Sequence, residues 1–246
     1  MTRRFYDIKE RYNLYPSHSS SVLGTRNTVE QKIMDRVEEW NRKWARGLAW
    51  WHLRSVNTTL LDHRSIFLPS PERRVLVPLC GKAVDLKWLY DAGHTVVGVE
   101  GVVQPVLEFF NENDLQYRTD SFSCGTIYKT LDDRLTIYCC DLFALDADTL
   151  GKFDAVWDRG SLVAIYEEDR ERYARLIRSV LAPDFRYLLS VVQYEPTPEF
   201  SGPPRNIPTN LLRELFGDVC QLEVLEHLTD DRENFAEVTL MLTPKY

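Results

Sequence analysis

Three short runs of this chain end in residues that could hold a small ligand between them. In Val77–Asp85 (VPLCGKAVD) Gly81 follows a buried-strand pattern, Val75–Leu79, and a glycine there lets backbone approach a ligand closely. About 20 residues further on, Thr95–Glu100 (TVVGVE) closes on Glu100, where an acidic side chain would grip a ribose 2′,3′-diol. Asp141 and Leu142 end a third run, where an adenine could be read by side chain and backbone. Each acid alone could equally be a surface carboxylate at a strand end. Their common edge is what makes a site.

The turn at Gly81 carries neither GxGxxG nor GxxxxGK[ST], so a dinucleotide pyrophosphate or a nucleoside triphosphate lacks its usual cradle. A nucleoside without phosphate fits better, and S-adenosylmethionine is such a ligand. Upstream, Trp40, Trp44 and Trp51 stand four and then seven residues apart, one helical stripe if the helix continues that far. Such a stripe is commonly plain core. It could also be a lid, because aromatic faces attract a sulfonium cation.

The elements that must position these residues follow from periodicity. Residues 1–27 are polar, with a Ser17–Ser21 cluster, and read as a flexible arm. From Thr28 the spacing of Ile33, Met34, Val37 and Trp40 predicts a helix, and a further helical stretch is expected around Leu48–Leu53. Strands are expected at Val75–Leu79, Thr95–Glu100, Phe153–Asp158 and Tyr187–Val192, with helices at Asp85–Tyr90, Val102–Asn113, Glu167–Leu181 and Thr209–Phe216. Ile127–Lys129 and Leu135–Cys140 flank an Asp132–Asp133 turn and read as a hairpin. The strands near Gln221–Leu228 and Ala236–Leu242 lack a helix between them, which suggests an antiparallel addition. The fold class is α/β: a doubly wound, mostly parallel sheet with an antiparallel C-terminal strand and an N-terminal helical cover. Residues 28–246 are expected to be a single domain, with residues 28–68 as its cover.

Composition narrows the partners. The 246 residues carry 30 basic and 37 acidic side chains, a net charge of −7 that disfavours phosphate backbones and anionic lipid. The longest apolar stretch, Tyr187–Tyr194, falls far short of the roughly 20 residues of a membrane span. Five cysteines without a CxxC pair give neither a disulfide framework nor a zinc site, and the five histidines share no metal-ligand spacing. The expectation is a cytoplasmic monomer that binds neither nucleic acid, membrane nor metal.

Longer blocks carry a resemblance. PLCGKAVDLKWL (Pro78–Leu89), GHTVVGVE (Gly93–Glu100), LTIYCCDLF (Leu135–Phe143) and GKFDAVWDRGSLVAI (Gly151–Ile165) resemble the thiopurine S-methyltransferase family. EEWNRKWARG (Glu38–Gly47), FRYLLSVVQYEPT (Phe185–Thr197) and GPPRNIP (Gly202–Pro208) extend it. The resemblance implies a class I methyltransferase fold with S-adenosylmethionine as cofactor and aromatic or heterocyclic thiols, thiopurines among them, as substrates. It implies that Leu79 and Gly81 line the cofactor, Glu100 holds its ribose and Asp141 and Leu142 flank its adenine. It further implies that Trp40, Trp44 and Trp51 cover it, that Arg159 faces the bound pair and so touches both cofactor and substrate, and that Trp51 also faces the substrate. The chain departs from the family at Gly101–Pro105 (GVVQP) and in His227–Phe235, shorter than the vertebrate loop. That loop holds a second substrate-side arginine, for which Arg232 is the candidate.

Methyl transfer from a sulfonium is an in-line displacement on an activated carbon, so the protein mainly positions. A thiolate is a strong nucleophile, and no obligate general base is expected. Arg159 could stabilise it, or could simply pair with Asp158 or Asp154. Two other activities keep the same cofactor: methylation of inorganic anions such as thiocyanate or of selenium and tellurium compounds, and binding without catalysis.

Overall fold

Runs of β-branched residues and leucine bounded by turns build the sheet of this computed structural model, which describes residues 29–197, 200, 202–230 and 235–246. The expected arm 1–27 and Arg232 lie outside the described residues. The strands are β1 (Arg74–Val77), β2 (Thr95–Glu100), β3 (Tyr117–Phe122), β4 (Gly125–Thr130), β5 (Leu135–Cys139) and β6 (Phe153–Arg159). They continue with β7 (Leu181–Tyr194), β8 (Cys220–Asp230) and β9 (Phe235–Pro244). All nine belong to one sheet, in the order β3-β4-β5-β2-β1-β6-β7-β9-β8.

The five central strands, β5-β2-β1-β6-β7, run parallel, and both margins are antiparallel. The chain builds outward from β1 through β2 to β5, then returns to lay β6 and β7 on the other side of β1. That reversal between β1 and β6 is where an open α/β sheet leaves a crevice at its carboxyl edge. Side chains alternate between two apolar layers, as a sheet covered on both faces requires. Leu76, Val97, Val99 and Val156 enter one layer; Val75, Val77, Val96 and Trp157 enter the other.

The helices are α1 (Val29–Ala45), α2 (Thr58–Asp62), α3 (Arg64–Phe67), α4 (Val84–Asp91), α5 (Val103–Glu112), α6 (Ala147–Leu150), α7 (Arg170–Ser179) and α8 (Thr209–Phe216). The expected helical stretch at Leu48–Leu53 is a turn instead. Helix α1 stops because Gly47 takes a φ of 67°, while the N–H groups of Gly47 and Leu48 donate to the carbonyls of Trp44 and Lys43. A glycine in this conformation closes a helix and satisfies its last carbonyls. The strand expected to reach Leu79 ends at Val77, where Pro78 begins the turn. The helix expected over Glu167–Leu181 divides into a 3-10 turn, Glu167–Asp169, and α7, and Leu181 already pairs with Phe153 in the sheet. Nothing in the sequence pattern marks strand β3: YRTDSF has no apolar alternation, because its residues are mostly exposed at the sheet margin.

One buried carboxylate fixes the turn that follows β6. Asp158 is fully buried and accepts hydrogen bonds from the hydroxyls of Tyr173 (2.6 Å) and Tyr187 (2.8 Å) and from the N–H groups of Ser161 and Leu162 (3.2 Å each). Ser161 Oγ then donates to the carbonyl of Pro78 at 2.5 Å, which ties the turn after β6 to the turn after β1. Replacing Asp158 by Ala removes the acceptor of four buried donors. It should cost about 3 kcal/mol or more of unfolding free energy, read from the urea midpoint. A loss below about 1 kcal/mol would show that water replaces the carboxylate.

Candidate active site

The carboxyl ends of β1, β2 and β6, with the turn after β5, open into one cleft of about 1270 Å³, part of it continuous with solvent. Every sequence-derived site residue within the described part of the chain lines it: Trp40, Trp44, Trp51, Leu79, Gly81, Glu100, Asp141, Leu142 and Arg159. Pro203 and Pro204 form part of the same wall.

The floor is the turn after β1. Leu79 and Gly81 both take left-handed backbone conformations, with φ of 42° and 52°. This is uncommon for a leucine and tends to mark functional turns. The turn is held from β2: Glu100 accepts from the N–H of Gly81 (2.9 Å) and from its own neighbour Val102 (2.8 Å). Burial pushes the Glu100 carboxyl up to about 7, against the pull of those backbone donors. Asp141 has a structural duty as well, since its Oδ1 accepts the N–H of Phe143 at 3.1 Å and caps the 3-10 turn Leu142–Ala144.

The roof is aromatic. Trp51 lies edge-to-face against Trp40 (5.1 Å between centroids) and Trp44 (5.6 Å), and Trp50 lies edge-to-face against Trp51. The cluster therefore forms although Trp51 is not on α1: the chain turns at Gly47 and brings it back. Trp44 is buried over Gly81, where a Cβ would come within 3.1 Å of its Cζ2. The Nζ of Lys43 sits 4.3 Å from the ring centroid of Trp40.

Arg159 ends β6 at the side of the cleft away from the two acids. Its Nη1 donates to the carbonyl of Trp51 at 2.6 Å, joining it to the aromatic roof. The alternative partners are engaged elsewhere: Asp158 by the tyrosines, and Asp154 by the N–H of Arg74 (2.8 Å) beside the guanidinium of Arg73. Among the cleft residues to which the sequence assigns no role are Asp85 and His52. Asp85 accepts from the N–H of Asn57 (2.8 Å) and from Trp157 Nε1 (2.9 Å), and His52 follows Trp51 in the wall. Neither stands at a diagnostic spacing.

The comparisons decide the family. A model of the family described as thiopurine S-methyltransferase matches residues 35–242. The thiopurine S-methyltransferase of Canis lupus familiaris is 39% identical over 229 residues, covering 92% of this chain and 88% of that protein. The Bos taurus enzyme of the same name is 41% identical over 207 residues, covering 81% and 83%. This chain belongs to the thiopurine S-methyltransferase family.

Solved structures agree on the fold. A Burkholderia thailandensis 1,6-didemethyltoxoflavin-N1-methyltransferase with bound S-adenosylhomocysteine has a TM-score of 0.64 at 14% identity, covering 94% of this chain and 99% of its own. A TehB-like methyltransferase of Corynebacterium glutamicum has a TM-score of 0.51 at 14% identity, covering 87% and 98%. At such identity they establish the class I methyltransferase fold alone. No helix among the described residues is long and apolar enough to cross a membrane.

The family's cofactor, S-adenosylmethionine, can be tested against the residues present. Each oxygen of a carboxylate has two acceptor positions, and one backbone N–H fills only one of them on each oxygen of Glu100. Acceptor capacity for a diol therefore remains on a buried acid inside the cleft. Leu142 and Val102 offer apolar surface nearby, and three indoles offer faces or edges to a cation. The residues fit the group.

Glu100 also leaves a signature in stability. The fold favours its neutral form, so its contribution is complete below the unfolded value near 4.5 and is lost as pH rises through about 7. Between about pH 5 and pH 8 the unfolding free energy of the wild type should fall by about 2–3 kcal/mol relative to Glu100→Gln. Parallel curves for the two proteins would show that the carboxyl is not desolvated.

Proposed function

We propose that the protein transfers a methyl group from S-adenosylmethionine to the sulfur of a small aromatic or heterocyclic thiol of thiopurine type. Family membership supports both the activity and the cofactor. The observation that carries the residue assignments is the division of one cleft: Asp141 and Glu100 at the β5 and β2 ends, Arg159 at the β6 end. Strands β2 and β6 are separated by β1 alone, so about 10 Å lies between the two sides at ordinary strand spacing.

When bound, S-adenosylmethionine supplies a methyl group on a sulfonium carbon already activated for in-line displacement. Glu100 would hold its ribose hydroxyls, Asp141 and Leu142 would flank its adenine, and Leu79 and Gly81 would line its path along the floor. Trp40, Trp44 and Trp51 would exclude water from above, with the indoles favouring the positive sulfur. Trp51 and Arg159 would meet the acceptor. A guanidinium beside a sulfur lowers the cost of ionising the thiol, and it is not consumed. The rest is placement, because a reacting pair held about 3–3.5 Å apart and in line gains most of its rate from position.

The reading includes a monomer. It also includes a cytoplasmic location, which suits five free cysteines. Burial pushes the thiols of Cys139 and Cys140 up to about 11 and about 12, away from the reactive range.

Two measurements test the assignment. Arg159→Ala should lower kcat/KM for thiophenol by about 100-fold or more while changing the Kd for S-adenosylhomocysteine by less than about fivefold. Equal losses in both would place Arg159 on the cofactor side. S-adenosylhomocysteine should also quench tryptophan fluorescence, and Trp44→Ala should diminish the quench. An unchanged spectrum at saturation would rule out a tryptophan lid.

A further inference from the structure

His52 lies in the cleft wall beside the substrate-side cation, and the assignments above leave it without a task. The carbonyl that anchors Arg159 belongs to Trp51, so a single peptide unit separates that anchor from His52. The backbone is fixed there, the His52 N–H donating to the carbonyl of Ala49 at 3.0 Å. Among the described residues, none is hydrogen-bonded to the imidazole ring.

Charged groups face His52 from three elements. Lys82 approaches from the turn after β1, Arg159 from β6, and Glu108 and Glu112 from α5. Lys82 pairs with both glutamates, at 2.7 and 2.6 Å. Burial first, then the positive charge of Lys82, holds the imidazole below its ordinary range, with Arg159 acting in the same direction and the two glutamates opposing. At neutral pH the ring is therefore uncharged and keeps a nitrogen lone pair. Asp85, the other titratable group at this end, has both oxygens engaged by Asn57 and Trp157.

We propose that His52 is the proton acceptor for thiol substrates that arrive protonated. The inference rests on the methyltransferase reading. As the acceptor sulfur forms its bond to the methyl carbon, the carbon–sulfonium bond breaks and its electron pair stays on the cofactor sulfur. The S–H proton passes to the imidazole nitrogen, so a cation and a neutral thiol become two thioethers and an imidazolium. Lys82 and Arg159 then favour loss of that proton to solvent, which resets the ring. Thiols already ionised at working pH need no such step, in keeping with the absence of an obligate base for acidic acceptors. The demand rises with acceptor pKa, from aromatic thiols below the cysteine value of about 8.5 to alkyl thiols at or above it.

Two acceptors of similar shape separate the cases: thiophenol, an acidic aromatic thiol, and benzyl mercaptan, a less acidic alkyl thiol. Near neutral pH, His52→Gln and His52→Ala should lose about 100-fold or more in kcat/KM with benzyl mercaptan and less than about threefold with thiophenol. Added imidazole should restore part of the benzyl mercaptan rate to His52→Ala. Binding of S-adenosylhomocysteine, followed by fluorescence, should stay within about twofold of wild type and report an intact fold. As a readout apart from turnover, the His52 ring resonance should shift when benzyl mercaptan is added to the S-adenosylhomocysteine complex. That resonance is identified by its loss in His52→Gln. Equal losses with the two thiols, no resonance shift, or a wild type that methylates thiophenol and not benzyl mercaptan would each overturn the role of His52 alone. A wild type that methylates no thiol would overturn the methyltransferase reading, and this inference with it.

Discussion

The carboxylate of Glu100 is the constraint on which the rest of the cleft depends. It is the last residue of β2, yet its side chain binds the N–H of Gly81 after β1 and of Val102 at the start of α5. A single buried acid thus sets the distance between two turns that a ligand must bridge. Desolvation opposes its charge and the backbone donors favour it, and burial wins, which brings the group near 7. Such a group is poised. In the proposed reading, a ligand offering hydroxyl donors would favour its anionic form. The left-handed backbone at Leu79 and Gly81 is kept in place by the same bond.

The roof is attached to this floor by interactions of a different kind. On the β6 side, Tyr166 has Arg205 on its ring at 3.9 Å and Arg36 at 4.4 Å, while its hydroxyl donates to Glu39 at 2.8 Å. Arg36 also pairs with Glu168 and Asp169. Helix α1 is therefore latched by charge and aromatic contact to the segment after β6. Arg205 carries the latch further, because its N–H and Nη1 donate to the carbonyls of Val163 and Ala164. Those two residues and the adjoining Pro203 and Pro204 line the cleft. The cover and this wall of the cleft are therefore coupled, since both share one tyrosine.

How much of this was legible in the sequence depends on which interactions are local. The strand ends that carry Glu100 and Arg159 are visible because a buried parallel strand is a short apolar run, and the run stops where the edge begins. The sequence groups Trp40, Trp44 and Trp51 by a route the structure does not use. Helical spacing places them on one stripe, whereas the helix ends at Ala45 and a return of the chain makes the contact. Gly47 before a change of rhythm was the available signal. Strand β3 left none, because a polar margin strand draws its order from the neighbour it pairs with. Asp85 and His52 were equally silent: an acid in the first turn of a helix and a histidine in an aromatic run are ordinary until the fold brings β6 alongside.

The position of charge along the cleft, more than the net charge of the chain, accounts for the chemistry. A protein with an excess of acid suits a cationic cofactor in general terms, but a field of several charges spread over the surface is screened within about 8–10 Å in solution. Inside the cleft the screening is weaker, and there Asp141 and Glu100 stand at the β5 and β2 ends while Arg159 stands at the β6 end. In the proposed reading an anionic acceptor sulfur is drawn toward Arg159, while Asp85 at the same end has both its oxygens engaged by Asn57 and Trp157. Arg159 is bonded to the roof through the carbonyl of Trp51, so the positions of the guanidinium and of the aromatic cluster are coupled. In the proposed reading, an acceptor that meets Arg159 therefore meets a guanidinium held by the same segment that carries the aromatic roof.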